Sequence, residues 1–519
     1  MSFVQYLDHG ALRAPDAPCL QMGDVELTYK EVQAWSHKIG NKLRSLGLGR
    51  GDHACVLATN DLMAFVCVFG FSRAGVTWVP ANPRLSAEDI QYQINFFECK
   101  VVIFQQAFAE ILDRLRLELP GVNEFVCLDA DLAETPSMER WLGGGSGDDL
   151  RIAFEPDDLA MIMPTGGTTG RSKGVMLPNR ALDAFVSLYL YCFGYMPGTR
   201  PVNLAAAPLT HAAGIFSLAT MVRGGRVVIL PKAEPSLIVD AIERERATEL
   251  FLPPTVIYRI LDLPGIENRN FTSLEYFVYA AAPMSVEKLR QALRVFGPVM
   301  AQCFGQAEAP ALCTYLSPRD HLAPDGSPAG EEILSSCGYP TPLMDVRILD
   351  DDNVETAGED RGEICVRGPL VMQGYYKRPD ITAQTIIDGW LHTGDIGFKD
   401  RAGRIHISDR KKDMIISGGF NIYPQEIEQV LWAHPAVQDC AVIGVPDPDW
   451  GEAVKAVVEL NRDISAGEEE LLTWCKARLG SMRSPKSIDF IDQLPRSPNG
   501  KVLKRDVRAP YWVGQDRKI

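Results

Sequence analysis

The stretch from residue 159 to 177 constrains the fold more than any other. An apolar run, Leu159 to Met163, leads into Pro164-Thr165-Gly166-Gly167-Thr168-Thr169-Gly170-Arg171-Ser172-Lys173-Gly174, and a second apolar run, Val175 to Leu177, leads out. The pattern predicts strand, loop, strand. Glycines let backbone N–H groups come close to a ligand, and the loop adds four hydroxyls and a lysine. Such a loop suits phosphate oxygens. It is not a Walker A loop, because no Gly-Lys-Ser/Thr follows a glycine at the required spacing. A mobile surface turn would have less reason to gather so many hydroxyls.

At 519 residues the chain exceeds what one hydrophobic core serves, so several domains are expected. A net charge of -15 argues against nucleic acid as a general partner, but not against ATP, which local groups can hold. The twelve cysteines include no CxxC pair and read as free thiols in a reducing compartment. No HExxH occurs. The start, Met1-Ser2-Phe3-Val4-Gln5-Tyr6, does not read as a signal peptide. The apolar stretch from Leu204 to Val222 carries Pro208, Thr210, His211, Ser217 and Thr220, which fits a buried segment better than a transmembrane one. The expected location is cytoplasmic.

Strand and helix patterns alternate along the first half, which predicts parallel sheets covered on both faces. Val25 to Tyr29 reads as an extended piece, with Thr28 capping the next helix and Glu31 completing a capping box. Strands are expected at His53 to Ala58 and Val76 to Pro80, with a buried helix between them. Gly143 to Asp149 reads as a linker between subdomains. A second α/β layer is expected from the strands at 227–230, 249–252 and 276–279. Residues 338–368 then suggest a small antiparallel sheet or barrel. A charged run, Asp409-Arg410-Lys411-Lys412-Asp413, precedes a self-contained α+β pattern in which Pro424 opens a helix. The expected division is residues 1–409 and 410–519.

Six separated segments appear together in one order. They are the loop at 165–175; Pro208-Leu209-Thr210-His211-Ala212-Ala213-Gly214; Ala280-Ala281-Ala282-Pro283; Gln302-Cys303-Phe304-Gly305-Gln306-Ala307-Glu308; Trp390-Leu391-His392-Thr393-Gly394-Asp395; and Asp409 to Lys412 with Ser417-Gly418-Gly419, completed by Pro498-Asn499-Gly500-Lys501. As a set they resemble the acyl-adenylate-forming superfamily over nearly the whole chain, and its acyl-CoA synthetase branch in particular. The resemblance implies a large N-terminal domain with two layered α/β subdomains and a β-barrel-like subdomain. A small mobile α+β lid follows.

It also implies a chemistry. A carboxylate attacks the α-phosphate of ATP, pyrophosphate leaves, and a thiol then displaces AMP from the acyl-adenylate. An anionic acid meets an anionic phosphate, so cations must neutralise the developing charge. By resemblance Lys501 is the mobile cation of that step and His211 lines the carboxylate pocket. Thr165, Gly166, Gly167, Thr168, Thr169 and Lys173 face the phosphates. Ala281, Phe304, Gly305, Gln306 and Ala307 lie on the nucleotide, with Phe304 stacking on adenine. Asp395 and Arg410 hold the ribose. Glu308 is the Mg²⁺ ligand, a hard oxygen donor shared with phosphates. Lys412 is the hinge, and Ser417, Gly418 and Gly419 pass along the coenzyme A thiol arm.

Ala307 departs from the superfamily's usual threonine. A methyl cannot donate, so one hydrogen bond of roughly 0.5–1.5 kcal/mol is missing or comes from Gln306 or a loop hydroxyl. The alanines at 280, 281, 282, 309 and 311 imply a roomy apolar acid pocket, suited to an aryl, alicyclic or medium-chain acid. ATP, Mg²⁺, coenzyme A and a small carboxylic acid are therefore the expected ligands. A homodimer is left open. Loading of a carrier protein, a luciferase-like oxidation and a relative that has lost adenylation stand as alternatives.

Overall fold

Residue alternation explains the layering. In the strand Glu249–Leu252, Leu250 and Leu252 face one apolar cluster while Phe251 faces another. Both faces of the parallel strands are buried, so the strands read as continuous apolar runs. The computed structural model describes residues 1–145, 147–165, 172–196, 198–210, 212–461, 464–496 and 502–513.

A nine-stranded sheet runs in the spatial order 339–340, 309–316, 300–306, 276–279, 249–252, 202–205, 226–229, 18–22, 25–28. Its centre is parallel and both edges are antiparallel. A seven-stranded sheet has the order 374–375, 173–178, 159–165, 77–81, 53–57, 99–104, 124–127. Its strands Leu159–Thr165 and Lys173–Pro178 pair antiparallel, so the phosphate-loop candidate closes a hairpin as the sequence pattern predicts. The largest apolar cluster joins Val101, Ile103 and Met161 of this sheet to Val227, Ile229 and Val278 of the other. The helix Ala212–Val222 belongs to that cluster, which is why its sequence is apolar almost all round.

The helix Tyr29–Ser45 starts as expected. Glu31 N donates to Thr28 Oγ1 at 3.3 Å, and Thr28 N donates to the Glu31 carboxylate at 2.8 Å. One expectation about connectivity needs correcting. Gly143 to Asp149 does not join subdomains, because the strands on either side of it, ending at Cys127 and starting at Leu159, lie in the same seven-stranded sheet. The hairpin Pro18–Thr28 joins the later nine-stranded sheet, with Leu20 opposite Val227, rather than the sheet that follows it in sequence. Pairings over two hundred residues leave no local trace.

Residues 345–410 form a five-stranded antiparallel sheet, the barrel-like piece. Its last strand, Ile405–Arg410, still pairs with Trp390–Lys399. From Ile415 to Phe490 the strands pair among themselves in a second five-stranded sheet, covered by the helices Pro424–Trp432 and Glu468–Arg483. This small unit touches the large one through side-chain contacts. Gln429 Nε2 donates to Met284 O at 3.2 Å, and Gln438 Nε2 donates to Asp262 Oδ2 at 2.8 Å. Among the described residues, no helix is long and apolar enough to cross a membrane. All twelve cysteines are free.

A buried charge cluster ties the small unit to the end of the large one. Lys504 Nζ lies 2.9 Å from the Glu428 carboxylate and 3.7 Å from that of Asp409. Asp409 also accepts from Gln425 N at 2.9 Å. Burial pushes the Glu428 carboxyl up to about 7, against the pull of Lys504 and with the repulsion of Asp409. Protonation that is stronger in the folded state stabilises it at low pH. Glu428 therefore contributes stability that is full below the ordinary carboxylate range and lost as pH rises through about 7. We expect Glu428→Gln to flatten that loss, which is of order 1–3 kcal/mol. Hydrogen exchange of the helix Pro424–Trp432 between pH 5 and 8 measures it. An identical pH slope in both proteins would contradict it.

Candidate active site

Strand ends build the site. The carboxyl ends of the parallel strands 202–205, 226–229, 249–252 and 276–279 point the same way, and the segments that follow them line one cavity of about 1370 Å³. Ligands of open α/β sheets bind at such ends. Gln306 to Glu308, Gly394, Arg410 and Arg496 line the same cavity. It thus lies where both sheets, the barrel-like piece and the small C-terminal unit meet.

The candidates for the phosphate side are held from two directions. Thr165 and Lys173, at the feet of the hairpin, both line the cavity. The Gln93 amide donates to Ser172 Oγ at 3.2 Å, fixing the descending foot. Glu308 also lines the cavity, and the Tyr375 hydroxyl donates to its Oε1 at 2.7 Å. Burial, with Glu308 beside it, pushes the Tyr375 phenol well up, so this tyrosine stays protonated and donates. The Lys173 ammonium sits 4.8 Å from the Tyr375 ring centroid. Tyr375 carries no periodic signal in the sequence. It sits in a two-residue strand, Gly374–Tyr375, whose partner lies two hundred residues earlier.

The backbone here is strained where it faces the cavity. Ala281 has φ 73° and Ala311 φ 49°, both in the left-handed region that costs a non-glycine residue about 1–2 kcal/mol. Gly305 has no such strain. Its requirement is space, since a Cβ there would lie 2.6 Å from Ala309 O and closer still to Ala311 N.

The ribose-side candidates converge. Arg410 Nε lies 2.9 Å from Asp395 Oδ1, and Asp395 is 5% exposed. The turn that presents Asp395 is pinned. Gly394 N donates to Glu363 Oε1 at 2.8 Å, and Thr393 Oγ1 donates to Ile364 O at 2.6 Å. Gln306 is committed here as well. Its Nε2 donates to Asp395 Oδ2 and to Thr393 O, each at 2.7 Å. Both amide protons are used, so Gln306 does not replace the hydroxyl missing at Ala307. That expectation is corrected. Ala307 itself lines the cavity.

Phe304 is buried in the central apolar cluster, beside Gly305, which lines the cavity. The aromatic wall of the cavity comes from Phe185, Phe216 and Phe251, which the sequence alone did not single out. Phe216 and Phe251 stack at 5.1 Å with their planes 4° apart, and Phe185 meets Phe216 edge-on at 5.2 Å. Ala206, Ala207 and Ala280 leave room in front of them.

Lys412 lines the cavity, and burial with Arg410 nearby holds its ammonium below the ordinary lysine range. Ser417, Gly418 and Gly419 do not line it. They form a turn between the strands Ile415–Ser417 and Phe420–Ile422, on a face that exposes Ile416, Phe420 and Trp450. Gly166, Gly167, Thr168, Thr169, His211 and Lys501 lie outside the described residues. The flanks of 497–501 are described: Arg496 lines the cavity and forms a β-bridge with Val502.

A hairpin lysine, a carboxylate and an arginine line one cavity with an apolar recess, and the arginine holds a buried aspartate behind that wall; the set is consistent with an acyl-adenylate-forming ligase. The model of the AMP-binding enzymes matches residues 7–376, and that of their C-terminal domain matches residues 426–501. The chain belongs to the AMP-binding enzyme family, and it is an AMP-forming acid–thiol ligase. It is 34% identical to a medium/long-chain-fatty-acid–CoA ligase of Mycobacterium tuberculosis, over 98% of this chain and 90% of that protein. It is also 34% identical to a feruloyl-CoA synthase of an Amycolatopsis species, over 96% of this chain and 97% of that one. Among solved structures, ATP-bound MatB from Rhodopseudomonas palustris superposes with a TM-score of 0.88 at 29% identity, covering 98% and 99% of the two chains.

Proposed function

We propose that the enzyme activates a hydrophobic aryl, alicyclic or medium-chain carboxylic acid as its acyl-AMP and passes the acyl group to coenzyme A. The observation that carries this reading is the single cavity in which Lys173 and Glu308 share a wall system with an apolar recess backed by three phenylalanines. The two similar curated enzymes act, by their names, on fatty acids and on a phenolic acid, both apolar in the body.

In this reading Lys173 and the 165–173 hairpin bind the phosphates. Asp395 accepts both ribose hydroxyls, and Gln306 and Arg410 hold its carboxylate in place. The donors of the Glu308 carboxylate suit a magnesium ion, since one oxygen is engaged by Tyr375 and the side chain faces the phosphate wall. Among the described residues no three metal-ligating side chains gather, so such an ion would take most of its ligands from phosphate and water. Bound there, it would neutralise charge on the phosphates. Lys501 supplies the cation at the α-phosphate and the carboxylate, and His211 borders the acid.

The division at 409/410 and the hinge at Lys412 belong to the same proposal. Among the described residues the strands after Asp413 pair only with one another, and Arg496 reaches the cavity while the 417–419 turn stays outside it. This orientation suits adenylation. A rotation about Lys412 would carry the turn inward for the thiol step. A panel of aliphatic, alicyclic and aromatic acids, assayed for CoA-dependent AMP formation, tests the function. AMP formation that responds to a carrier protein but not to coenzyme A would reject the acceptor, and strict use of acetate would reject the acid class.

Ala307→Thr tests the departure from the superfamily. The change adds little volume at a cavity wall, and the new hydroxyl would sit where phosphate charge develops. With Gln306 already committed, we expect pyrophosphate release equal to or above that of the parent. A loss of more than about tenfold, roughly 1.4 kcal/mol, would show that another group already fills the place.

A further inference from the structure

Tyr375 stands between two groups of opposite charge. The strand Gly374–Tyr375 extends the edge of the seven-stranded sheet, with Tyr375 opposite Val175 and Gly374 opposite Met176. That register sets its ring beneath the Lys173 ammonium, 4.8 Å from the ring centroid. Its hydroxyl donates to Glu308 Oε1 at 2.7 Å, and Met372 N holds the Glu308 carbonyl at 2.8 Å. Tyr375 N donates to Thr382 Oγ1 at 2.9 Å, so the strand is itself anchored. Lys173 and Glu308 line the same cavity but, among the described residues, are not ion-paired with each other.

An ammonium and a carboxylate on one sheltered wall attract strongly. If they closed on each other, the lysine would be lost to a phosphate and the carboxylate to a cation. We propose that Tyr375 is a positioning residue that prevents this closure. Its ring face occupies the ammonium and its hydroxyl occupies one carboxylate oxygen, so each charge remains available to the nucleotide. The two halves of the side chain act on different partners, which makes them separable. The inference rests on the reading of Glu308 as the residue that meets magnesium.

The test is calorimetric binding of ATP to the full-length protein, once with Mg²⁺ and once in EDTA, for the parent, Tyr375→Phe, Tyr375→Leu and Glu308→Gln. Tyr375→Phe keeps the ring, and so the packing and the cation contact. It should weaken Mg·ATP binding by about five- to tenfold, as the loss of one charge-assisted hydrogen bond does, and leave binding in EDTA unchanged. Tyr375→Leu frees Lys173 to pair with Glu308 and should weaken binding in both conditions. Glu308→Gln separates the layers. If it removes the Mg²⁺-dependent gain and Tyr375→Phe does not, the positioning role is wrong. Equal losses for Tyr375→Phe with and without Mg²⁺ would also overturn it, as they mark a purely structural role. If Glu308→Gln leaves the Mg²⁺-dependent gain intact, the metal reading of Glu308 fails, and this inference falls with it.

Discussion

Lys501→Ala is expected to reduce acid-dependent pyrophosphate release by about 10²–10³-fold, the usual cost of removing one group aimed at developing transition-state charge. The same variant should still transfer the acyl group when the acyl-adenylate is supplied with coenzyme A. The ground is local. Arg496 and Val502 are bridged, Arg496 lines the cavity, and Leu503 N donates to Pro495 O at 2.9 Å. Three residues beyond Lys501, Lys504 is locked between Asp409 and Glu428. The chain on both sides of 497–501 is thus anchored beside the cavity, within the small unit. In the proposed mechanism such a cation would serve the step in which pyrophosphate leaves, and rotation of the small unit would withdraw it before the thiol displaces AMP. Equal loss in both half-reactions would mean that Lys501 serves the fold or both steps.

Gly418→Leu is expected to do the reverse. Gly418 has φ 58°, and a Cβ on it would run into the ring of Trp450, while its N–H donates to Trp450 O at 2.9 Å. A leucine would cost about 1–2 kcal/mol in backbone strain and push the indole off the turn. None of these groups lines the cavity in the present orientation, so pyrophosphate release should stay near the parent rate. Trp450 is 53% exposed, as is Phe420, an apolar face that the proposed rotation would bring against the large unit. Thioester formation from supplied acyl-adenylate should fall by more than about tenfold, the effect of 1.4 kcal/mol on a barrier. Trp450→Ala removes the ring without straining the backbone, and it should impair the same half-reaction. If Gly418→Leu and Lys501→Ala damage both steps equally, one fixed site does both reactions and the swinging lid must be dropped.

The parts legible in the sequence are those whose signal is local. The capping box at Thr28 and Glu31 and the hairpin at 159–177 are read from residues a few positions apart, and the structure has both. Asp395 and Arg410 stand out through short motifs, and they meet at 2.9 Å. What stayed hidden depends on distant pairing. Leu20 opposite Val227 decides which sheet receives the first hairpin. Tyr375 reaches Glu308 only because its two-residue strand settles beside Val175. Gln306 looked free to serve a phosphate because nothing local reveals that Asp395, 89 positions on, takes its amide. The apolar wall of Phe185, Phe216 and Phe251 comes from two helices and a strand, and only the assembled layers bring it together.

The most direct test of the whole account is one reaction with one accepted acid, in which AMP, pyrophosphate and acyl-CoA are measured together. The expected result is one acyl-CoA and one pyrophosphate for each AMP, with AMP release stalling after a single turnover when coenzyme A is left out. ADP and orthophosphate as products, or AMP that accumulates at the same rate without coenzyme A and without thioester, would contradict it.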